Sequence, residues 1–238
     1  MGFRGLLRLF HGKADPVDLV LKHYYHGASG WDTARFDAEI LSVQYGTAGD
    51  VIAAGDSDGR IHLICTQTGA KILCLKDHSN WVWTVAFSFD GKVLASGGND
   101  RRIILWDPKK GERLKTLEGH SDGVLCVVWA PDGSKLVSGG GYGDNKIKLW
   151  SPSTGECLNT LEGHSSQVNG VSFSADGSLV ASCSGSPYLR GARGGDCSVR
   201  MWSVETGHEA QEVPGAQWRS LVRGMGARWL EARQRRRI

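Results

Sequence analysis

The reading turns on residues 77–117, DHSNWVWTVAFSFDGKVLASGGNDRRIILWDPKKGERLKTL, and on residues 119–161, GHSDGVLCVVWAPDGSKLVSGGGYGDNKIKLWSPSTGECLNTL, in which one unit is written twice. His78, Ser96, Asp100 and Trp106 of the first recur as His120, Ser138, Asp144 and Trp150 of the second, and His164 opens a third unit. The histidines are spaced by 42 and then 44 residues. Each unit has an apolar run (82–87; 124–129), a polar turn (Phe89-Asp90-Gly91-Lys92; Pro131-Asp132-Gly133-Ser134) and a second run ending in serine (93–96; 135–138). A Gly-rich stretch closing on Asp follows, then a third run (103–106; 147–150), then a Gly-containing turn into a fourth (114–117; 158–161). Short runs rich in β-branched and aromatic residues, bounded by Gly, Pro, Asn and Asp, read as strands. Four such strands at a period in the forties predict one propeller blade.

The residues that recur together resemble the WD-repeat family. They are the Gly-His opening, the Phe-Asp-Gly or Pro-Asp-Gly turn, the Ser-Gly-Gly run, and Ile-x-Leu-Trp-Asp or Ile-x-Leu-Trp-Ser. Trp106-Asp107 is the dipeptide that names that family, and Trp150-Ser151 and Trp202-Ser203 depart from it in their second residue. The resemblance implies an all-β fold of about four WD-type propeller blades forming an open or incomplete ring. It further implies a hydrogen-bonded tetrad in each good blade, from the indole N–H of Trp106 to the hydroxyl of Ser96, on to the ring of His78, and from its other nitrogen to Asp100. The matching sets are His120, Ser138, Asp144 and Trp150, and His164, Ser182, Asp196 and Trp202.

In chain order, residues 1–35 do not match the unit; Phe3, Leu6, Leu7 and Phe10 stand at helical spacing, and residues 18–25 could form a strand. A degenerate first blade is expected over 36–76, with Phe36 in the place of the histidine, Ala54 of the serine and Ile64 of the tryptophan. Its buried polar network is expected to be replaced by apolar packing. Blades follow at 77–118, 119–162 and 163–213. The last carries a long Gly-rich insertion, residues 184–195, between its second and third strands; loop insertions are thermodynamically cheap and often functional. Residues 214–238 form a basic tail with seven arginines against Glu231, so the formal net charge of +3 is concentrated there and the remainder is about −3. Nucleic-acid binding is therefore not expected of the propeller, only of the tail if anywhere.

No 18-residue apolar run calls for a transmembrane helix, and the N-terminus lacks the uninterrupted core of a signal peptide. Six scattered cysteines without Cys-x-x-Cys spacing read as reduced and structural. The expected location is cytoplasmic, with the nucleus as the alternative.

A serine, a histidine and an aspartate invite a hydrolase reading, but a nucleophilic triad occurs once per site, beside an oxyanion hole. Here the trio occurs three times and travels with a tryptophan. His78, His120 and His164 fall one per blade, so they do not converge on a metal, and no phosphate or dinucleotide loop is present. No enzyme activity, cofactor or small-molecule substrate is expected. The expected function is a protein-interaction scaffold, with a substrate-presenting or targeting subunit of a larger complex as the alternative. In the resembled family, the loops after Gly-His and between second and third strands share one face, and that face binds peptides or domains. The matching residues are Trp81, Trp83, Asn99, Arg101, Tyr142, Gln167, Asn169, Tyr188, Arg190 and Arg193. Four blades with apolar end faces would also favour self-association or pairing with further blades.

Overall fold

The structure, a computed structural model, describes residues 36–185, 196 and 198–210. The N-terminal segment, most of the blade-four insertion and the basic tail lie outside these, as do the helix and strand expectations that fall on them. Among the described residues there are fifteen strands and no helix. β1 (Ile40–Tyr45), β2 (Val51–Asp56), β3 (Arg60–Cys65) and β4 (Lys71–Lys76) form one antiparallel sheet. β5 (Val82–Phe87), β6 (Leu94–Gly98), β7 (Ile103–Asp107) and β8 (Glu112–Leu117) form the second. β9 (Val124–Trp129), β10 (Leu136–Gly140), β11 (Ile147–Trp150) and β12 (Cys157–Leu161) form the third. β13 (Val168–Phe173), β14 (Leu179–Ser184) and β15 (Val199–Ser203) make the fourth, where a bridge between Trp202 and Glu209 begins pairing on the outer side. First strands of successive sheets touch one another, so the sheets stand side by side as propeller blades that do not close into a ring.

The Asp-Gly turns join first strands to second strands. Gly91, Gly133 and Gly177 have φ of 69°, 71° and 73°, a left-handed conformation that costs glycine little. Asp90 caps the turn by accepting from Ser88 Oγ and Lys92 N, and Asp176 does the same with Ser174 Oγ and Ser178 N.

Packing between blades repeats one contact. An added Cβ at Gly55 would lie 2.6 Å from Val82 Cγ1, at Gly97 2.7 Å from Val124 Cγ1, and at Gly139 2.6 Å from Val168 Cγ1. A bare backbone in each second strand thus admits the leading valine of the next sheet. Around these contacts lie the apolar clusters between blades: Leu63, Leu75, Phe87, Leu94 and Trp106 between the first two, Leu105, Leu117, Leu136 and Trp150 between the next two, and Leu149, Leu161, Phe173 and Trp202 between the last.

On the outer face of the first sheet, Ile40, Ile52, Ala54 and Ile64 are 1–4% exposed and form an apolar cluster with Phe36, Val43 and Tyr45 packed against it.

Each first strand carries a bulge where it leaves the second strand. The register shifts fall between Ile40 and Ser42, between Val82 and Thr84, opposite Gly139/Gly140, and between Val168 and Gly170. The extra residues are Leu41, Trp83, Leu125 and Asn169. A bulge breaks the strict alternation of side chains and re-aims one of them, and the last three sit at the end of the strand next to a histidine loop.

Candidate functional site

The three histidines lie in the loops that lead into β5, β9 and β13, the serines on the second strands, and the tryptophans on the third. Antiparallel pairing sets Leu94 opposite Trp106, Leu136 opposite Trp150 and Val180 opposite Trp202, which brings each indole back over the serine two residues further along. The indole N–H donates to the serine hydroxyl at 2.8 Å in every case: Trp106 to Ser96, Trp150 to Ser138, Trp202 to Ser182. The same hydroxyl lies 2.8 Å from His78 Nε2, 2.7 Å from His120 Nε2 and 2.7 Å from His164 Nε2. The far ring nitrogens meet Asp100 at 2.9 Å, Asp144 at 2.5 Å and Asp196 at 2.6 Å. The carboxylate can only accept, so Nδ1–H donates to it, and in the neutral ring Nε2 then accepts the serine proton while the serine oxygen accepts from the indole.

The carboxylates are held further by the residue after each histidine, because Ser79 N, Ser121 N and Ser165 N donate to Asp100, Asp144 and Asp196. Burial pushes all three carboxyls up, but the donors outweigh it and hold them well below the usual carboxylate range. Against Asp100 these are His78, Ser79 N and Arg102; against Asp144, His120 and Ser121; against Asp196, Ser198, His164 and Ser165 N. Arg102 was not among the expected residues. It donates to Asp100 through Nε and Nη2, at 3.1 and 2.8 Å, and to the Asp77 carbonyl at 2.8 Å. The available signal was a basic residue two positions after the acid, since Arg60 and Lys146 stand at the same place.

Ser96, Ser138 and Ser182 are fully buried. A hydroxyl enclosed by an indole on one side and an imidazole on the other cannot reach a substrate carbonyl, so the arrangement ties loop, second strand and third strand together by pairing buried donors and acceptors.

Above the tetrads, the loop face carries the other expected residues. Trp81 is 45% exposed and its ring meets that of half-buried Trp83 edge-on, with centroids 5.1 Å apart. Asn99 joins this pair, its backbone N–H donating to the Trp81 carbonyl and its Oδ1 accepting from Trp83 Nε1 at 3.3 Å. In blade four, Gln167 Nε2 donates to Asn169 Oδ1, and Asn169 Nδ2 to the Gly185 carbonyl. Arg101 is exposed and held at φ 69°, where the first blade has Gly59 and the third Asn145. Tyr142 is 58% exposed on the neighbouring loop. Trp81, Trp83 and Asn99 therefore form one group joined by contacts and Gln167 with Asn169 another, while Arg101 and Tyr142 are exposed side chains on the same set of loops. Tyr188, Arg190 and Arg193 lie outside the described residues. Among those described, no group of three or more His, Cys, Asp and Glu side chains is arranged to hold a metal ion, and no helix is long and apolar enough to cross a membrane.

A family model for the WD domain, G-beta repeat, matches residues 69–107, 111–151 and 155–203, more than half of the chain. The chain belongs to the WD40 repeat family. Each matched segment takes the outer strand of one sheet and three strands of the next (β4–β7, β8–β11, β12–β15), so each WD40 repeat bridges two blades. Comparison with curated protein sequences finds no match. Among solved structures, U3-55K is similar with TM-score 0.64 at 22% identity, covering 74% of this chain and 52% of that one. A chain of the mitotic checkpoint complex is similar with TM-score 0.66 at 23% identity, covering 75% and 53%. This WD40 chain thus spans about half the length of each, and at such identities the likeness is one of fold alone.

β1 to β3 fall outside the matched WD40 repeats; there Ala54 and Ile64 pack in an apolar cluster, as expected, but the expected loss of a buried polar network is corrected. His62 Nε2 lies 2.8 Å from Asp56 Oδ2, both buried, and Asp56 Oδ1 accepts from Asp58 N and Arg60 N at 2.9 and 2.8 Å. Phe36, in the histidine's place, packs against the His62 ring at a 54° tilt with centroids 4.6 Å apart. The reason is steric. Asp56 occupies the position of Gly98 and Gly140, where an added Cβ would lie 2.7 Å from the Asp100 carboxylate or 2.0 Å from that of Asp144. One pocket holds one carboxylate, and in the first blade it enters from the strand end, leaving Asp58 exposed beside Arg60.

Proposed function

We propose that this WD40 chain is a non-catalytic protein-interaction scaffold that binds a peptide or domain on the face carrying the histidine loops and the loops between second and third strands. One observation carries this reading: Trp81 is 45% exposed on that face while its backbone is tied in place, its N–H donating to Asn80 Oδ1 and its carbonyl accepting from Asn99 N–H. Exposed Trp, Tyr and Arg are the residue types that dominate binding energy at interfaces, and Trp81, Tyr142 and Arg101 supply one of each. The burial of all three tetrad serines supports the non-catalytic part. The family's general use of such faces for protein partners agrees with it.

The test is capture of partner proteins by the intact chain and by two surface variants. Trp81→Ala combined with Tyr142→Ala should lower recovery of the same partner at least tenfold, about 1.4 kcal/mol. Phe89→Ala, at the 76%-exposed tip of the opposite turn, should leave it unchanged. The reverse pattern would move the binding face to the other side.

A further inference from the structure

We propose that the face which β13 to β15 turn away from the third sheet docks a β-sheet of a partner protein led by glycine, and rejects a second copy of this chain. This surface is separate from the histidine-loop face and does not depend on it. The first three sheets each join the next by one contact: a glycine in the second strand, Gly55, Gly97 or Gly139, receives the leading valine of the following sheet, Val82, Val124 or Val168. β14 carries Cys183 at that position, since Cys183 pairs with Val199 as Gly97 does with Ile103 and Gly139 with Ile147. Its neighbour on the first strand is exchanged as well. Gly97 and Gly139 stand opposite Thr84 and Cys126, whereas Cys183 stands opposite Gly170. Cys183 Sγ lies 3.1 Å from where a Cβ on Gly170 would be. The bare and the substituted position have changed places, so the slot for an incoming side chain is filled.

That face has the composition of a junction without its burial. Val199 is 37% exposed, where its counterparts Ile103 and Ile147 are fully buried against the next sheet, and Met201 is half-buried where Leu105 and Leu149 are closed off. The three junctions already in the molecule show how such a face is covered, by a sheet standing beside it with its leading residue against the second strand. Clearance then selects the sheet. In those junctions the place of a Cβ on the glycine lies 2.6–2.7 Å from the valine Cγ1 and 2.8–3.1 Å from the valine Cβ. Cys183 supplies that Cβ, so a valine-led sheet at the same spacing collides, alanine is crowded, and only glycine restores the gap; forcing extra atoms into a packed junction is destabilising. A second copy would bring Ile40, which stands opposite Asp56 as Val82 does opposite Gly98 and is larger than valine. Ile40 is besides already packed with Ile52, Ala54 and Ile64.

The experiment uses intact copies of this chain as probes of known leading residue, with self-association measured by sedimentation equilibrium after circular dichroism has shown each variant to be folded. Ile40→Gly makes a glycine-led sheet and should associate at least tenfold more tightly than the wild type, about 1.4 kcal/mol, whereas Ile40→Val should match the wild type. Ile40→Val combined with Cys183→Gly rebuilds the contact of the first three sheets and should associate as tightly as Ile40→Gly. This double variant keeps the test available if Ile40→Gly does not fold. Val199→Glu, at an exposed position, should return either associating variant to the wild-type level with an unchanged melting temperature. The inference is overturned if the wild type or Ile40→Val associates as tightly as these variants, or if association is indifferent to Val199→Glu. It is equally overturned if neither variant associates, the result expected where residues 1–35 or 211–238 of this chain close the face. Partner capture that depends on Trp81 and Tyr142 is unaffected by any of these outcomes.

Discussion

Replacing Ser138 by alanine tests the structural role of the tetrad most directly, because it removes one atom that serves two buried partners. Ser138 Oγ accepts from Trp150 Nε1 at 2.8 Å and lies 2.7 Å from His120 Nε2, with no exposure of the serine and 1% of the tryptophan. Alanine strands the indole donor and the imidazole acceptor together, and each buried unpaired group costs about 1–3 kcal/mol. The expected loss is about 2–6 kcal/mol, which for a domain of this size lowers the melting temperature by about 4–24 °C. Ser134→Ala, on the exposed turn that Asp132 caps, should stay within about 0.5 kcal/mol. The assay is denaturant unfolding followed by tryptophan fluorescence. A double cycle with Trp150→Phe, which deletes the stranded donor, should show coupling of about 0.5–3 kcal/mol. If Ser138→Ala unfolded together with Ser134→Ala, or folded normally while abolishing a hydrolytic activity, the tetrad would not be the brace described here.

Asp56→Ala should cost about 3–5 kcal/mol by breaking a buried pair, while Asp58→Ala, at the exposed site, should change little; equal effects in chemical denaturation would return the first blade to apolar packing. Lowered carboxyl groups at Asp100, Asp144 and Asp196 contribute stability that is present above the unfolded carboxylate range near pH 3.9 and is lost as pH falls through their folded values. Unfolding midpoints should therefore decline from about pH 5 downward, and Asp144→Asn should flatten that decline; an unchanged slope would refute the linkage. Arg101→Gly should be neutral or stabilising by up to about 1 kcal/mol, because glycine relieves the left-handed strain at φ 69°, whereas Arg101→Val should cost about 1–2 kcal/mol; calorimetry of both variants separates these outcomes.

The blades of this WD40 chain were legible in its sequence because their signals are local. Alternating apolar runs define β5 to β15 to within a few residues, Asp-Gly pairs mark the turns, and the spacing of His78, His120 and His164 sets the repeat. The tetrad partners were readable because one pattern occurs three times. What three-dimensional packing decided was whatever depends on which atoms share a space. Asp56 and Asp100 come from different positions in their units yet fill equivalent pockets, and only the clearance around Gly98 and Gly140 explains the exchange. His62 looked like one more residue of an alternating strand until pairing of β2 with β3 brought it against Asp56. Arg102 became part of the blade-two network only when the fold set it beside Asp100 and the Asp77 carbonyl. The Trp81–Trp83 corner depends on a bulge of one residue in β5, which strand alternation in the sequence does not reveal, because a bulge is set by how two backbones pair and not by either strand alone.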